Sequence, residues 1–167
     1  MKILITGATG LIGRSLVKIA LSRGIEINFL TTKKSKINHL NKAKGFYWNP
    51  SNGDLNTDCF LGVDIIIHLA GASISKLWTS SYKKLIFSSR VDSTRLLFSR
   101  LKQIGSRHKI KQIISASAIG IYPSDFEKTF SETAKVYPST FMEEVVIAWE
   151  NEVDSFDSIN IKVAKMR

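Results

Sequence analysis

Residues 2–13 constrain this chain more than any other stretch. Lys2-Ile3-Leu4-Ile5-Thr6 is a short apolar run that reads as a β-strand, and it leads straight into Gly7-Ala8-Thr9-Gly10-Leu11-Ile12-Gly13. A G-x-x-G-x-x-G turn between a strand and an amphipathic helix brings main chain close to an anion. Gly7 permits the tight turn, Gly10 leaves room for a pyrophosphate at the backbone, and Gly13 lets the helix pack against the strand. The free N–H groups at the helix start then face the anion. The competing reading is a glycine-rich βα turn with no ligand; the strand before it and the helix after it weigh against that.

The flanking sequence fits the same unit. Leu16, Val17, Ala20 and Leu21 recur at helical spacing, and Gly24 stands where a helix terminates. Residues 25–30 alternate apolar and polar, and Thr31-Thr32 closes a second strand. The end of that strand is where the ribose is read. A site that prefers NAD carries Asp or Glu here to accept from the 2′-hydroxyl. This chain has Thr31-Thr32-Lys33-Lys34-Ser35-Lys36, with no acid. A lysine cluster attracts a 2′-phosphate, so the expectation is NADP, with NAD as the alternative. A solvated basic loop is the plain competing reading.

Composition bounds the rest. At 167 residues the chain fits one domain, 1–167, with a real core. No apolar run reaches membrane-spanning length and no signal-peptide pattern opens the chain, so a cytoplasmic protein without membrane contact is expected. The single cysteine, Cys59, fits a reducing compartment and reads as structural. The net charge of +10 raises the question of nucleic acid. The basic residues are scattered, without zinc spacing or aromatic–basic interleaving, so no metal site and no specific nucleic-acid binding are expected.

Farther on, residues 37–62 are the least regular. Residues 46–50 read as a short strand and 51–54 as a turn. Val63 to Gly71 is a nearly all-apolar buried strand. Residues 79–104 form one long helix, or a helix broken near its start, with Ile86, Val91, Leu97 and Leu101 inward. Ile110 to Ala116 is a strand, 139–156 a helix and 159–166 a last strand. This alternation predicts an α/β fold, a doubly wound parallel sheet of Rossmann type.

Four segments together resemble the extended short-chain dehydrogenase/reductases of the NAD-dependent epimerase/dehydratase type. They are Gly7 to Gly13, His68 to Gly71, Ser89 to Thr94 and Ser115 to Tyr122. Trp48-Asn49-Pro50, Ser89-Arg90-Val91 and Trp149-Glu150 resemble, more narrowly, an epimerase-like subgroup of that family. The resemblance implies that Gly7, Thr9, Gly10 and Gly13, with the Leu11 and Ile12 amides, hold the pyrophosphate. It implies that Thr31, Thr32 and Lys33 meet the adenosine ribose, and that Leu69, Ala70 and Gly71 pass along the ribose and phosphates. Ser117 matches the serine that bonds a substrate hydroxyl or carbonyl, and Ser115 lies one pleat away. Arg90 stands where extended members carry asparagine; it would reach a phosphate or carboxylate, or form a plain surface ion pair.

Two further departures bear on chemistry. The family's acid/base pair is Tyr-x-x-x-Lys on a helix. None of Tyr47, Tyr82, Tyr122 and Tyr137 has lysine four residues on, and Phe141-Met142-Glu143-Glu144-Val145 stands at the expected place. Tyr122, just past Ser117, is the nearest replacement acid; a buried strand-end aromatic is the competing reading. Family members also run well beyond this length, so the resemblance implies that the substrate lobe is missing from these 167 residues.

Two functions follow. One is an NADP-binding epimerase or oxidoreductase-like domain acting on a sugar-like, hydroxyl or carbonyl substrate. The other is a catalytically silent nucleotide-binding module. A homodimer through the helices at 79–104 and 139–157 is also expected, with Trp78, Phe87, Phe98, Val146 and Trp149 supplying apolar surface.

Overall fold

The computed structural model describes residues 1–125 and 127–167. The strands are β1 (Lys2–Thr6), β2 (Glu26–Thr31), β3 (Lys44–Asn49), β4 (Asp54–Leu55), β5 (Ile65–His68), β6 (Gln112–Ala116) and β7 (Lys162–Met166). They form one sheet in the order β4-β3-β2-β1-β5-β6-β7. All neighbours run parallel except β3 and β4. From β1 the chain steps outward through β2 and β3, then returns to β5 on the other side of β1. That reversal opens a crevice at the carboxyl ends of β1 and β5, the place where such sheets bind ligands.

Alternation along β1 explains why it reads as unbroken apolar sequence. Ile3 and Ile5 face α1 (Leu11–Ser22), where they meet Ala8, Val17, Ala20, Ile27 and Phe29. Leu4 faces the other side with Leu30, Ile66 and Ile113. That side is covered by α2 (Ser80–Ile104) and α3 (Phe141–Asp154), through Val91, Leu97, Leu101, Trp149 and Val153. A strand with helices on both faces has no solvent face to make polar. Each fully buried Leu, Ile or Phe in these layers contributes roughly 1.5–3 kcal/mol, so the two apolar clusters dominate what holds the layers together.

Local chemistry sets the helix ends. Gly24, at φ +68°, follows α1; its N–H and that of Ile25 close back on the carbonyls of Leu21 and Ala20. Thr79 caps α2 by accepting from the Tyr82 N–H, and Gly105 ends that helix at φ +61°. Thr140 and Glu143 cap α3 reciprocally, in a capping box.

Several features differ from the sequence reading. α2 runs without a break from Ser80. The irregular stretch contains a hairpin in which Trp48 pairs with Leu55 across a turn at Gly53, φ +75°. Val146 and Trp149 do not form an external face: they are 1% and 4% exposed, buried in the chain's own core. Phe98 packs on Phe156, which leaves Trp78 and Phe87 as the half-exposed aromatics of the expected dimer face. Cys59 is fully buried, and burial holds its thiol far above the ordinary range. Among the described residues no helix is long and apolar enough to cross a membrane, and no group of acidic, His or Cys side chains is arranged to hold a metal.

Candidate functional site

The floor of the crevice is a buried polar chain. Thr6 ends β1 and His68 ends β5, side by side in the sheet register. The Thr6 hydroxyl accepts the N–H groups of Leu69 and Ala70, both at 3.0 Å. Its proton is therefore free for Nδ1 of His68, 2.8 Å away. That makes Nδ1 an acceptor and Nε2 the protonated nitrogen. Nε2 donates to Thr94 Oγ1 at 3.0 Å, and Thr94 donates in turn to the Arg90 carbonyl at 2.7 Å. His68 is fully buried, and burial pulls its pKa down to about 4. The imidazole is thus a neutral rivet joining β1, β5 and α2 beneath the loop at residues 69–72.

Above this floor lies the glycine turn. Gly7 has φ +71°, and a β-carbon there would come within 2.9 Å of the Leu69 carbonyl. A β-carbon on Gly13 would lie 2.2 Å from the Gly7 carbonyl oxygen. Both glycines are therefore demanded by the fold itself. Gly10 differs. It caps α1 with ordinary extended dihedrals, φ −77° and ψ −178°, and an added β-carbon would meet only the Gly7 oxygen, at 3.2 Å. Its missing side chain leaves space at the helix N-terminus, where no acidic residue occupies the first turn.

A cavity of about 400 Å³ opens beside the turn. Of the residues expected at a cofactor, Gly7, Thr9, Thr31, Thr32, Ala70 and Gly71 line it, whereas Gly10, Gly13, Lys33 and Leu69 do not. Its far wall is Trp48-Asn49-Pro50-Ser51 with Leu85, Ser88, Ser89 and Asp92. The sequence reading noted the Trp-x-Pro segment without placing it here. Thr31 turns its hydroxyl toward the Lys33 backbone, and Thr32, Lys33 and Lys34 are exposed just past the end of β2. Lys34 lies over the Tyr47 ring.

Other anticipated residues sit outside this lining. Arg90 spends its guanidinium on the carbonyls of Ile86 and Ala72, at 3.0 and 3.2 Å, and stacks over Trp149. Burial lowers its pKa. It braces the 69–72 loop, and a β-carbon on Gly71 would press against it at 3.1 Å. Ser115 is fully buried and donates to the Ala116 carbonyl. Leu11 and Ile12 are exposed at the start of α1, 82% and 67%.

Ser117 and Tyr122, beyond the end of β6, belong to a second group. The Ser117 hydroxyl lies 2.5 Å from Glu150 Oε1. Arg167 grips the same carboxylate with Nε at 2.9 Å and Nη2 at 2.7 Å, while its Nη1 donates to the Tyr122 hydroxyl at 2.7 Å. Lys165 stands 3.4 Å from Glu150. Burial pushes the Glu150 carboxyl up, but the hydrogen bonds from Arg167 and Ser117, with Lys165 nearby, outweigh it, and the group ends below the usual range. The Glu150 hydrogen bond raises the pKa of Arg167 against the cost of burial. Glu150 and Arg167 were not singled out as site residues from sequence. Glu150 was visible in the Trp-Glu pair, but its role needs partners 33 and 17 residues away. Where the family carries tyrosine and lysine, Phe141 packs edge-on against Trp78 and Val145 is wholly buried. Those positions are committed to packing.

Residues 3–158 match the model of the NAD dependent epimerase/dehydratase family. The chain belongs to that family. It is 36% identical over 160 residues to an epimerase family protein of Staphylococcus saprophyticus, covering 96% of this chain and 52% of that protein. An epimerase family protein of Staphylococcus haemolyticus is likewise 36% identical, with the same coverage. This epimerase-family chain thus spans about half the length of the curated relatives it matches. Among solved structures, a nucleoside-diphosphate sugar epimerase from Corynebacterium glutamicum superposes with a TM-score of 0.79 at 29% identity, covering 100% of this chain and 33% of that one. MoeE5, solved with UDP-glucose and NAD, gives 0.80 at 20% identity, covering 100% and 54%. A human epimerase family protein with NADPH gives 0.73 at 21%, covering 91% and 48%. At these last two identities the likeness is one of fold.

Proposed function

We propose that the chain binds a nicotinamide dinucleotide, NADP in preference to NAD, across the carboxyl ends of β1 and β5. In this reading it serves epimerase or oxidoreductase chemistry at a hydroxyl or carbonyl carbon. The observation that carries the reading is Gly10, a glycine the backbone does not require, at the N-terminus of α1; it lies outside the cavity lining but directly follows Gly7 and Thr9, which belong to it. An anion placed there meets unpaired N–H groups and the positive end of the α1 dipole. The adenosine half fits the cavity between Thr31-Thr32 and Trp48 to Ser51, whose volume is that of a small-molecule site. No carboxylate stands at the end of β2 to meet a ribose 2′-hydroxyl, and Lys33 and Lys34 follow that strand exposed, which favours a 2′-phosphate. The structural neighbours solved with NAD and with NADPH support the cofactor class.

When bound, the dinucleotide supplies the hydride step; the chain orients it and polarises the reacting carbon's oxygen. Calorimetric titration with NADP+ and NAD+ tests the reading. The expected result is saturable binding of both, tighter for NADP+. No binding of either by the folded chain would refute it.

A further inference from the structure

The cavity beside the glycine turn accounts for a nucleotide but not for the four side chains gathered at the ends of β6 and β7. We propose that Glu150 and Arg167 are positioning residues that fix Ser117 as a hydrogen-bond acceptor and Tyr122 as a hydrogen-bond donor, so that the site takes a hydroxy-carbonyl compound. The proposal rests on the dinucleotide reading above for the identity of the neighbouring ligand.

The polarity follows from the inventory of donors. An ionised carboxylate only accepts, so the Ser117 hydroxyl, 2.5 Å from Glu150 Oε1, must donate its one proton there. Its remaining lone pairs are left to accept from whatever enters the crevice. A guanidinium only donates, so the Tyr122 oxygen accepts from Arg167 Nη1, at 2.7 Å, and its own proton points elsewhere. One ion pair therefore sets both polarities. Glu150 is 5% exposed, so its charge-assisted bonds are little diluted by water. Ser117 and Tyr122 are half-buried, and Ile119 and Gly120 between them are exposed, so the group opens to solvent on one side. Stacking on Phe130 holds the Tyr122 ring in place.

A ligand that satisfies both residues offers a hydroxyl to Ser117 and a carbonyl oxygen to Tyr122. A simple ketone satisfies only Tyr122. Because Phe141 and Val145 are engaged in packing, the polar groups that meet the substrate on this side come from the Glu150–Arg167 assembly.

Proton NMR of the cofactor-free chain reads the polarity directly. The Ser117 hydroxyl proton is expected as a slowly exchanging, downfield signal that persists in Ser117→Thr and moves upfield or disappears in Glu150→Gln. A second measurement titrates the NADP+-saturated chain with hydroxyacetone and with acetone, following the signals of residues 117 and 122. Hydroxyacetone is expected to bind on the order of tenfold more tightly, the worth of one hydrogen bond. Ser117→Ala leaves the Glu150–Arg167 pair intact. It should lose that preference while keeping the parent's affinity for acetone and, by calorimetry, for NADP+. Equal affinity for the two probes in the parent, a preference unchanged by Ser117→Ala, or a Ser117 hydroxyl signal indifferent to Glu150→Gln would each overturn the proposal. Failure of NADP+ to bind the parent chain would overturn the dinucleotide reading instead, and the NMR signal recorded without cofactor would still decide the polarity.

Discussion

The hydroxyl of Thr6 is shared between the backbone and a buried histidine: it accepts from Leu69 and Ala70 and donates to His68 Nδ1, 2.8 Å away. One oxygen thus fixes both the loop over the crevice and the tautomer of the imidazole beneath it. Thr6→Val would keep the shape and leave the Ala70 N–H and Nδ1 without their partner, while the Leu69 N–H keeps only the Thr6 carbonyl at 3.3 Å. A loss of about 2–4 kcal/mol in urea unfolding is expected, since each orphaned buried group costs roughly 1–3 kcal/mol.

His68 should make stability depend on pH. Its pKa is about 4 in the folded chain and about 6.5 when unfolded. Between those values the unfolded chain binds the extra proton. Stability is then full above pH 6.5 and declines as pH falls toward 4, by on the order of 3 kcal/mol at most. Urea midpoints at pH 7.5 and pH 5 measure this decline. His108, also lowered by burial, adds to it, so His68→Gln assigns the share: the variant should show a flatter slope over the same range.

Gly10→Ala and Gly13→Ala should part company. At Gly10 the new β-carbon meets a single oxygen at 3.2 Å, while at Gly13 it meets one at 2.2 Å and the Ala8 backbone at 2.7 Å. Gly10→Ala is expected to keep an unfolding midpoint near the parent's and to lose dinucleotide affinity at least about tenfold, a cost of ~1.4 kcal/mol. Gly13→Ala should lose stability first. Parent-like NADP+ affinity in folded Gly10→Ala would remove the observation on which the cofactor site rests.

Lys33 and Lys34 stand exposed beside the end of β2. Replacing both by alanine should narrow the preference for NADP+ over NAD+, with NAD+ affinity unchanged. A charge-assisted phosphate contact is worth about 1.5–3 kcal/mol, within calorimetric reach. A parent chain that binds the two cofactors equally would dismiss the idea.

Arg90→Lys tests the brace under residues 69–72. Lysine can reach one carbonyl but cannot serve Ile86 and Ala72 together or lie flat on Trp149. The expected effect is a loss of about 1–2 kcal/mol in stability and faster amide exchange at Gly71 and Ala72. Unchanged exchange there would show that the loop does not depend on the arginine.

Much of the fold is legible because it depends on local pattern. The glycine turn, the helical spacing of Val17 and Ala20, and the apolar run at 65–67 each carry their own signal, and the alternation of elements orders the sheet. The hairpin of β3 and β4 is not legible in this way: Asp54-Leu55 is too short to show a period. Ser117 and Tyr122 could be named from a motif, but their hydrogen-bond partners could not. Glu150 lies on α3 and Arg167 follows β7, so the packing of α3 and the pairing of β6 with β7 are both needed to bring them beside Ser117. The burial of two residues expected at a dimer face was hidden for a related reason. Val146 and Trp149 read as surplus apolar surface until α3 is seen packed beside α2 on the sheet, where both are buried.

The partition of the crevice along the chain has a consequence for assembly. The nucleotide cavity is built wholly from residues 7–93, whereas the Glu150–Arg167 group needs β7 docked on β6, across a separation of 50 residues from Gln112 to Lys162. Residues 7–93 are made first in N-to-C synthesis. A chain emerging from synthesis can therefore shape its nucleotide cavity before the polar group beside it exists, and a nick between β6 and α3 would threaten the second half of the crevice while sparing the first.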